Sequence, residues 1–219
     1  MKEALIRLFY PDRCIFCGDV SEKGCCCQDC LKQLEGLKLR QPITFREKEK
    51  HNPCCGWIAA PFSYQSVVRR AVHGFKFKGR KEAAAFFAPF IAQVIRQNFK
   101  DCPFDLITCV PMNKYKQTAR GYNQADLLAQ ELAQILGVEY APLALKRVGL
   151  LTQHELRAIF RKKSAELSFA INQAENVKNK RVLVVDDIFT TGSTMYACCN
   201  RLLENGAIQV FGAVVAKTL

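Results

Sequence analysis

Four consecutive apolar residues, 182–185, form the clearest strand pattern in the chain. Such a mostly β-branched run, without polar alternation, predicts a strand buried on both faces of a parallel sheet. Apolar runs at 57–64, 104–110 and 208–216 predict further strands. The apolar spacing also predicts helices at 67–72, 81–99, 127–136 and 194–203, the last ended by Gly206. This order predicts an α/β fold with a mainly parallel central sheet flanked by helices.

Cysteines dominate the chain before residue 56. Residues 4–9 have the apolar spacing of a short helix, which ends at Pro11. Two C-x2-C pairs separated by nine residues then follow, formed by Cys14, Cys17, Cys27 and Cys30. Four thiolates in this arrangement predict a zinc ribbon with a tetrahedral metal. Residues 32–52, rich in Lys, Glu and Arg, are predicted to be a solvated connector.

The second cysteine pair has one alternative register. Cys25 and Cys26 lie beside Cys27, and a pair that starts at Cys26 would have C-x3-C spacing. We favour Cys27, because two equal C-x2-C pairs are the commoner ribbon pattern. Cys54 and Cys55 are adjacent, which makes them a poor chelating pair. One zinc ion is therefore predicted, and not two.

Charge and length narrow the class of protein. The 219 residues can hold one α/β domain with a small appendage, and 49% of them are hydrophobic. The net charge is +12, and residues 69–120 carry 11 basic and 3 acidic residues. This excess favours polyanionic partners. We see no signal segment and no run long enough to insert into a membrane, so we expect a cytoplasmic protein, whose thiols serve as metal ligands more readily than as disulfides.

The strand at 182–185 leads into residues with binding chemistry. Asp186 and Asp187 follow it directly, at the carboxyl edge of the sheet where such folds bind ligands. Next come small hydroxyl residues and a glycine: Thr190, Thr191, Gly192, Ser193 and Thr194. The start of the following helix favours an anion, so a phosphate is predicted on this loop. The carboxylates would instead hold vicinal hydroxyl groups or a divalent cation.

The stretch 181–194, RVLVVDDIFTTGST, resembles the phosphoribosyl-pyrophosphate (PRPP) motif of type I phosphoribosyltransferases. The paired C-x2-C motifs and RGYNQ at 120–124 resemble one branch of these proteins, the competence-associated ComF family. The resemblance implies that Asp186 and Asp187 hold the ribose 2- and 3-hydroxyls. It also implies that residues 190–194 hold the 5-phosphate and that Mg²⁺ accompanies PRPP.

The resemblance assigns roles to further loops. Four residues after the strand at 104–110 would wrap the pyrophosphate: Pro111, Met112, Asn113 and Lys114. Arg120 would neutralise charge on the leaving pyrophosphate, although it could also be an ordinary surface cation. Asn123 and Gln124 offer amides at a helix start, and Asn123 could instead cap that helix. A hood over the acceptor is expected around Thr152, Gln153, Arg157 and Arg161, with Ser164 where the family usually has Asn.

The segment HGFKFKGR at 73–80 interleaves basic and aromatic residues. It could line a groove for single-stranded nucleic acid, in which bases stack and cations contact phosphates. It could equally be an edge strand with one packed face and one wet face. The pattern does not separate these two interpretations.

We therefore predict a zinc ribbon and connector at 1–55 and a phosphoribosyltransferase-like domain at 56–219. The resemblance implies a protein linked to DNA uptake that transfers phosphoribose from Mg-PRPP to an unidentified nitrogen acceptor. The alternative is a single-stranded DNA-binding competence factor that works with the uptake machinery and whose PRPP pocket is regulatory or vestigial. A third hypothesis, purine salvage, lacks any element that identifies a base.

Overall fold

A computed structural model describes residues 12–21, 24–41, 43–44, 57–99, 104–148, 169–172 and 177–219. Its helices are α1 (Gln28–Glu35), α2 (Ser66–Phe77), α3 (Ala83–Asn98), α4 (Lys114–Arg120), α5 (Gln124–Leu136) and α6 (Ser193–Glu204). Its strands are β1 (Ile43–Thr44), β2 (Ile58–Ala59), β3 (Phe62–Ser63), β4 (Leu106–Cys109), β5 (Leu145–Arg147), β6 (Phe169–Ile171), β7 (Arg181–Phe189) and β8 (Gln209–Lys217).

A mainly parallel sheet forms the centre of the molecule, with strand order β1-β2-β8-β7-β4. β7 pairs in parallel with both β4 and β8, while β2 and β3 both pair in parallel with β8. Among the described strands of this sheet, β1 alone runs antiparallel, against β2, while β5 and β6 form a separate antiparallel pair. The strands predicted at 104–110, 182–185 and 208–216 are these three central strands, and the predicted α/β class is confirmed.

The two faces of the sheet are covered by different helices. Leu183 and Val185 belong to the larger core, which includes apolar residues of α2, α3 and α5. Val182 and Val184 belong to the second core, which α6 covers. All four residues are fully buried. The uninterrupted apolar run therefore reflects a strand with one core on each side.

Two predicted elements differ in the structure. The strand expected at 57–64 is split into β2 and β3, with Pro61 in the interruption, where its missing N–H cannot join a ladder. The helix expected at 67–72 continues to Phe77, so the edge-strand interpretation of HGFKFKGR is wrong. Its buried residues, which include Val67, Ala71 and Phe75, recur every four positions, and this helical spacing overrides the alternation of basic and aromatic residues.

The cysteine-rich segment packs on the helices that cover one face of the sheet. The Phe16 ring makes edge contacts with the rings of Phe86 and Phe87, whose centroids lie 5.3 and 5.9 Å away. One terminal nitrogen of Arg80 donates hydrogen bonds to the carbonyl oxygens of Cys14, at 3.2 Å, and Ile15, at 2.8 Å. This segment therefore shares a core with α2 and α3.

The solvated connector expected at 32–52 is only partly correct. Residues 32–35 complete α1, and Ile43–Thr44 adds an antiparallel strand to the sheet. The predicted helix at 4–9, the pair Cys54 and Cys55, and the expected hood residues of 152–164 lie outside the described residues. Among the residues that are described, no helix combines the length and hydropathy that a bilayer crossing requires.

Candidate active site and metal centre

The two predicted acids lie within β7 and not beyond it. β7 continues to Phe189 because its pairing with β8 extends through Ile188↔Ala216 and Phe189↔Lys217. Its other neighbour, β4, ends at Cys109, opposite Val185. Asp186 and Asp187 therefore extend past the end of β4 while they are still held by β8.

Successive residues of a strand point to opposite faces, and this separates the two carboxylates. Asp186 lines a small cavity with the first residues of α6. The Asp187 carboxylate contacts Lys76 on α2, which packs on the other face of the sheet. The acid pair is thus divided between two compartments, one on each side of β7.

Asp186 is held in a setting that disfavours its charge. Burial and the neighbouring Asp187 raise the pKa of Asp186 to about 7, while the Asp187 backbone N–H and Lys76 oppose the rise. That N–H donates to Asp186 Oδ1 at 2.8 Å. A carboxyl group with a pKa near neutrality can accept a hydroxyl hydrogen bond or bind a cation only after it loses its proton.

Asp187 has a partner that the sequence did not indicate. The ammonium group of Lys76 lies 2.8 Å from Asp187 Oδ2, and both side chains are largely buried. Asp187 itself is 7% exposed. Lys76 belongs to the basic segment noted in the sequence, but its position on a helix, and not on a strand, directs it to the acid.

The loop after β7 forms a cradle at the start of α6. Gly192 precedes the helix with φ +80°. A Cβ atom there would lie 2.4 Å from Tyr196 Cε2 and 2.7 Å from Phe189 Cζ, so only glycine fits. The cavity of about 50 Å³ is lined by Asp186, Ile188, Phe189, Thr190, Thr191, Gly192, Ser193, Thr194 and Met195.

Gly192 offers no side chain to cap the twelve-residue helix α6, and the Ser193 N–H makes only a long hydrogen bond, of 3.5 Å, to Thr191 Oγ1. The hydroxyl groups of Thr191 and Ser193 lie 2.9 Å apart at its first turn. Free N–H groups, hydroxyl donors and the positive end of the helix dipole together favour a bound anion of the size of a phosphate. The sequence placed a phosphate on this loop, and the geometry suits one.

The loop after β4 opens at the same edge of the sheet. The Val110 N–H donates to the Val185 carbonyl oxygen at 2.9 Å, immediately before Asp186. Pro111, Met112 and Asn113 follow, and Lys114 begins α4. The Asn113 side chain accepts a hydrogen bond from the Tyr115 N–H at 2.8 Å and thereby caps α4. Asn113 therefore already has a structural role.

RGYNQ joins the end of α4 to the start of α5. Asn123 caps α5 and donates to the Val110 carbonyl at 3.0 Å, as the capping alternative predicts. Gln124 is buried and donates to the Phe75 carbonyl at 3.2 Å. The Tyr122 hydroxyl donates to the same carbonyl. Tyr122 and Gln124 therefore hold the start of α5 against the end of α2, while Asn123 holds it to the segment after β4.

Arg120 lines a cavity, whereas the amide groups of Asn123 and Gln124 are bound to backbone carbonyls. Its guanidinium lies 4.7 Å from the centroid of the Phe77 ring and donates to Gln124 Oε1 at 3.1 Å. It lines a cavity of about 410 Å³ between α2 and α4, a volume typical of ligand pockets. The other lining residues are Lys76, Phe77, Gly79, Tyr115, Lys116, Ala119 and Tyr122. Tyr115 and Lys116 were not among the predicted site residues, and Lys76 was noted only within the basic segment 73–80, since helix propensity and spacing do not identify cavity walls.

The four predicted cysteines of the ribbon come together. Their sulfur atoms, from Cys14, Cys17, Cys27 and Cys30, all lie within 4.8 Å of one another. The sulfur atoms of Cys17 and Cys27 are 3.9 Å apart. A tetrahedral zinc with Zn–S bonds of about 2.3 Å separates its sulfur ligands by about 3.8 Å. The cluster therefore fits a small structural zinc site.

Backbone N–H groups favour a thiolate at Cys14, whereas burial raises the pKa of the Cys17 thiol to about 11 and also raises that of Cys30. Burial raises the pKa of the Cys14 thiol, but N–H groups of Cys17, Cys27 and Phe16 lower it more, to about 6. Gly18, directly after the first pair, has φ +91°, a conformation suited to glycine. Cys26 is not one of the four, and its thiol donates to the Cys27 carbonyl at 3.4 Å, so the cluster has the C-x2-C register.

Comparison with known proteins identifies relatives that match most of this chain. The profile of the phosphoribosyl transferase domain family matches residues 120–217, which supports the predicted type I phosphoribosyltransferase fold. Competence protein F of Haemophilus influenzae is 38% identical over 222 residues, which cover 93% of this chain and 97% of that protein.

Two other relatives have names that refer to DNA utilization or to competence. DNA utilization protein YhgH of Salmonella typhimurium is 36% identical over 181 residues, covering 76% of this chain and 78% of that protein. Competence protein ComFC of Bacillus subtilis is 24% identical over 195 residues, covering 88% of this chain and 72% of that protein.

Proposed function

The chain belongs to the ComF family, and on that basis we propose that it binds PRPP with Mg²⁺ and acts in DNA uptake. One observation carries the proposal. Asp186 and the hydroxyl-rich loop that begins α6 line the same small cavity at the carboxyl edge of a parallel sheet. A ribose 5-phosphate has hydroxyl groups that can donate to the Asp186 carboxylate and a phosphate that the loop can hold.

The residue roles follow from the two compartments. Asp186 and Asp187 would accept hydrogen bonds from the ribose 2- and 3-hydroxyls, one from each side of β7. Residues 190–194 would hold the 5-phosphate through N–H and hydroxyl donors. Pro111, Met112, Asn113 and Lys114, with Arg120, would hold the pyrophosphate. The cavity that Arg120 lines also contains Lys76 and Lys116, so it has the charge that a pyrophosphate requires.

The proposed reaction transfers phosphoribose to a nitrogen nucleophile. The bond between ribose C1 and the pyrophosphate oxygen breaks, a C1–nitrogen bond forms, and the nucleophile loses its proton. Mg²⁺, held by carboxylate and phosphate oxygens, would neutralise charge on the leaving pyrophosphate. The chain itself supplies positioning, through Asp186 and Asp187, and cationic stabilisation, through Arg120 or Lys114.

The remaining parts of the proposal concern the ribbon and the setting. Cys14, Cys17, Cys27 and Cys30 would hold one structural zinc ion, which contributes folding energy to a segment with a small core of its own. We assign residues 1–55 to this ribbon and connector and residues 56–219 to the phosphoribosyltransferase-like domain. The relatives named for competence and DNA utilization support a role connected with DNA. We propose that the chain acts with the DNA-uptake machinery in the cytoplasm.

Calorimetric titration of Mg-PRPP tests the proposal. Wild type should bind, and the double variant Asp186→Asn and Asp187→Asn should lose most of the binding. Glu204→Gln, an exposed acid at the end of α6, is the matched control and should bind as wild type does. Equal binding by wild type and the double variant would refute the assignment of the site.

A second candidate function rests on a different cavity. A space of about 450 Å³ between the cysteine segment and α2 is lined by Phe16, Cys17, Arg69, Arg70, His73, Lys78 and Arg80. So many cations in one groove suit the phosphates of single-stranded DNA. DNA binding that weakens with salt and with Arg69→Gln and Arg70→Gln, but survives loss of both acids, would favour this function.

A further inference from the structure

Lys76 connects two parts of the proposed site. Its ammonium group lies 2.8 Å from Asp187 Oδ2, and the same side chain lines the cavity that Lys116 and Arg120 line from α4. Asp187 is one of the two carboxylates proposed to hold ribose, and the cavity is the proposed pyrophosphate pocket. Lys76 therefore lies between the ribose site and the pyrophosphate site.

The ion pair sets a condition on any ligand of Asp187. A carboxylate that already accepts from an ammonium group at 2.8 Å has fewer free acceptor positions for a ribose hydroxyl or a cation. A ligand that displaces Lys76 leaves an ammonium group in a cavity that already contains two other cations. Like charges in a partly buried cavity repel one another, so the displaced ammonium needs a new anion.

A ligand can therefore displace Lys76 from Asp187 only if it brings an anion of its own into that cavity. Ribose 5-phosphate carries its phosphate at the other end of the sugar, where α6 begins. PRPP carries a pyrophosphate at C1 as well, and this group can accept the ammonium that leaves Asp187. The flexible stem of lysine allows such an exchange without movement of the helix.

We propose that Lys76 is a specificity-determining residue that couples ribose binding at Asp187 to the presence of a pyrophosphate at C1. The ammonium pairs with Asp187 before the ligand binds and with the pyrophosphate afterwards. The site thereby discriminates against ribose 5-phosphate, although both ligands offer the same hydroxyls and 5-phosphate. This inference rests on the function proposed above.

The test compares two ligands on one variant. Mg-PRPP and ribose 5-phosphate with Mg²⁺ are titrated calorimetrically into wild type and Lys76→Met. Loss of a charge-assisted hydrogen bond should weaken PRPP binding about tenfold to a hundredfold. Ribose 5-phosphate should bind the variant more tightly than wild type, because the competing ammonium is gone. The ratio of the two affinities should therefore fall at least tenfold.

Lys116→Met is the matched control, since it removes a cation from the same cavity without touching Asp187. It should weaken PRPP binding and leave ribose 5-phosphate binding unchanged. Thermal unfolding checks that each variant is folded. If Lys76→Met does not fold, Lys76→Gln keeps a donor for Asp187 without the charge, and the ratio of affinities should still fall.

The outcomes distinguish a failure of the Lys76 coupling from a failure of the proposed function. If wild type binds neither ligand, the proposed function is wrong. If wild type binds PRPP but a folded Lys76 variant changes both affinities by the same factor, changes neither, or lowers only PRPP affinity as Lys116→Met does, the coupling is wrong and the proposed function stands. A rise in ribose 5-phosphate affinity confined to the Lys76 variants would support the coupling.

Discussion

Replacing Asp186 with Asn should stabilise the fold at neutral pH and remove a proposed ribose ligand. The pKa of Asp186 is raised to about 7 from an ordinary 3.8, chiefly by burial and then by Asp187. Between these two values the folded state keeps the proton and the unfolded state loses it. Stability must therefore fall as the pH rises through this range and level off above about 7.

The size of the effect follows from the same shift. About three pH units at about 1.4 kcal/mol each give at most about 4 kcal/mol at pH 8. Asn has no charge to bury and keeps an oxygen that can accept from the Asp187 N–H. The variant should therefore be more stable than wild type at pH 8, and the gap should be about 2–3 kcal/mol smaller at pH 5.

Urea unfolding at pH 5 and pH 8, followed by far-UV circular dichroism, measures both gaps. Asp105→Asn is a control for which we expect the opposite change in the free energy of unfolding, because the Asp105 carboxylate stabilises the fold. The pKa of Asp105 is lowered to about 2 by hydrogen bonds from Arg181, so its contribution is present above pH 4 and lost as the pH falls towards 2. An Asp186→Asn variant that is no more stable than wild type at pH 8 would contradict the raised pKa of Asp186. So would a difference in free energy of unfolding between the two proteins that is larger at pH 5 than at pH 8.

Two further changes test the loop and the ribbon. Gly192→Ala should cost about 2–4 kcal/mol of stability, because a left-handed φ is combined with overlap against Tyr196 and Phe189, and urea unfolding against wild type measures this. Purified protein should contain roughly one zinc per chain by elemental analysis, and Cys30→Ser should lower both the zinc content and the unfolding midpoint. A ratio near two would contradict the single-site prediction, and full zinc content in Cys30→Ser would contradict the ligand assignment.

Apolar runs made the centre of the fold predictable. The residues at 182–185 are buried on both faces because β7 lies between β4 and β8 and between two cores. A strand that is buried on both faces has no solvated side, so it is the element that typically contains four consecutive, mostly β-branched apolar residues. The cysteine cluster was predictable for a similar reason, since a tetrahedral metal restricts both the number and the spacing of its ligands.

Long-range contacts were not predictable in this way. Lys76 and Asp187 are more than a hundred residues apart in the chain, and neither residue type requires the other. The alternation in HGFKFKGR suggested a strand or groove, yet the buried positions of α2 follow a helical period. Surface residues of a helix are free to alternate by chance, whereas its buried face must keep the period that packing imposes.

The ribbon and the proposed ligand site share α2, which gives a last prediction. Arg80 donates to the carbonyls of Cys14 and Ile15. Its stem packs so closely on Gly74 that a Cβ there would lie 2.9 Å from Arg80 Cδ. Gly74 is two residues before Lys76, so Arg80 holds the end of α2 to the cysteine segment.

Arg80→Met keeps most of this stem and removes the donors. It should lower stability by about 1–3 kcal/mol, because two carbonyls lose their partner. It should also weaken Mg-PRPP binding severalfold, since a displacement of about 1 Å in a positioning element is costly at a binding site. Zinc content should stay near one per chain, because no ligand changes. Unaltered PRPP affinity in a destabilised Arg80→Met would show that α2 holds Lys76 in place without the ribbon.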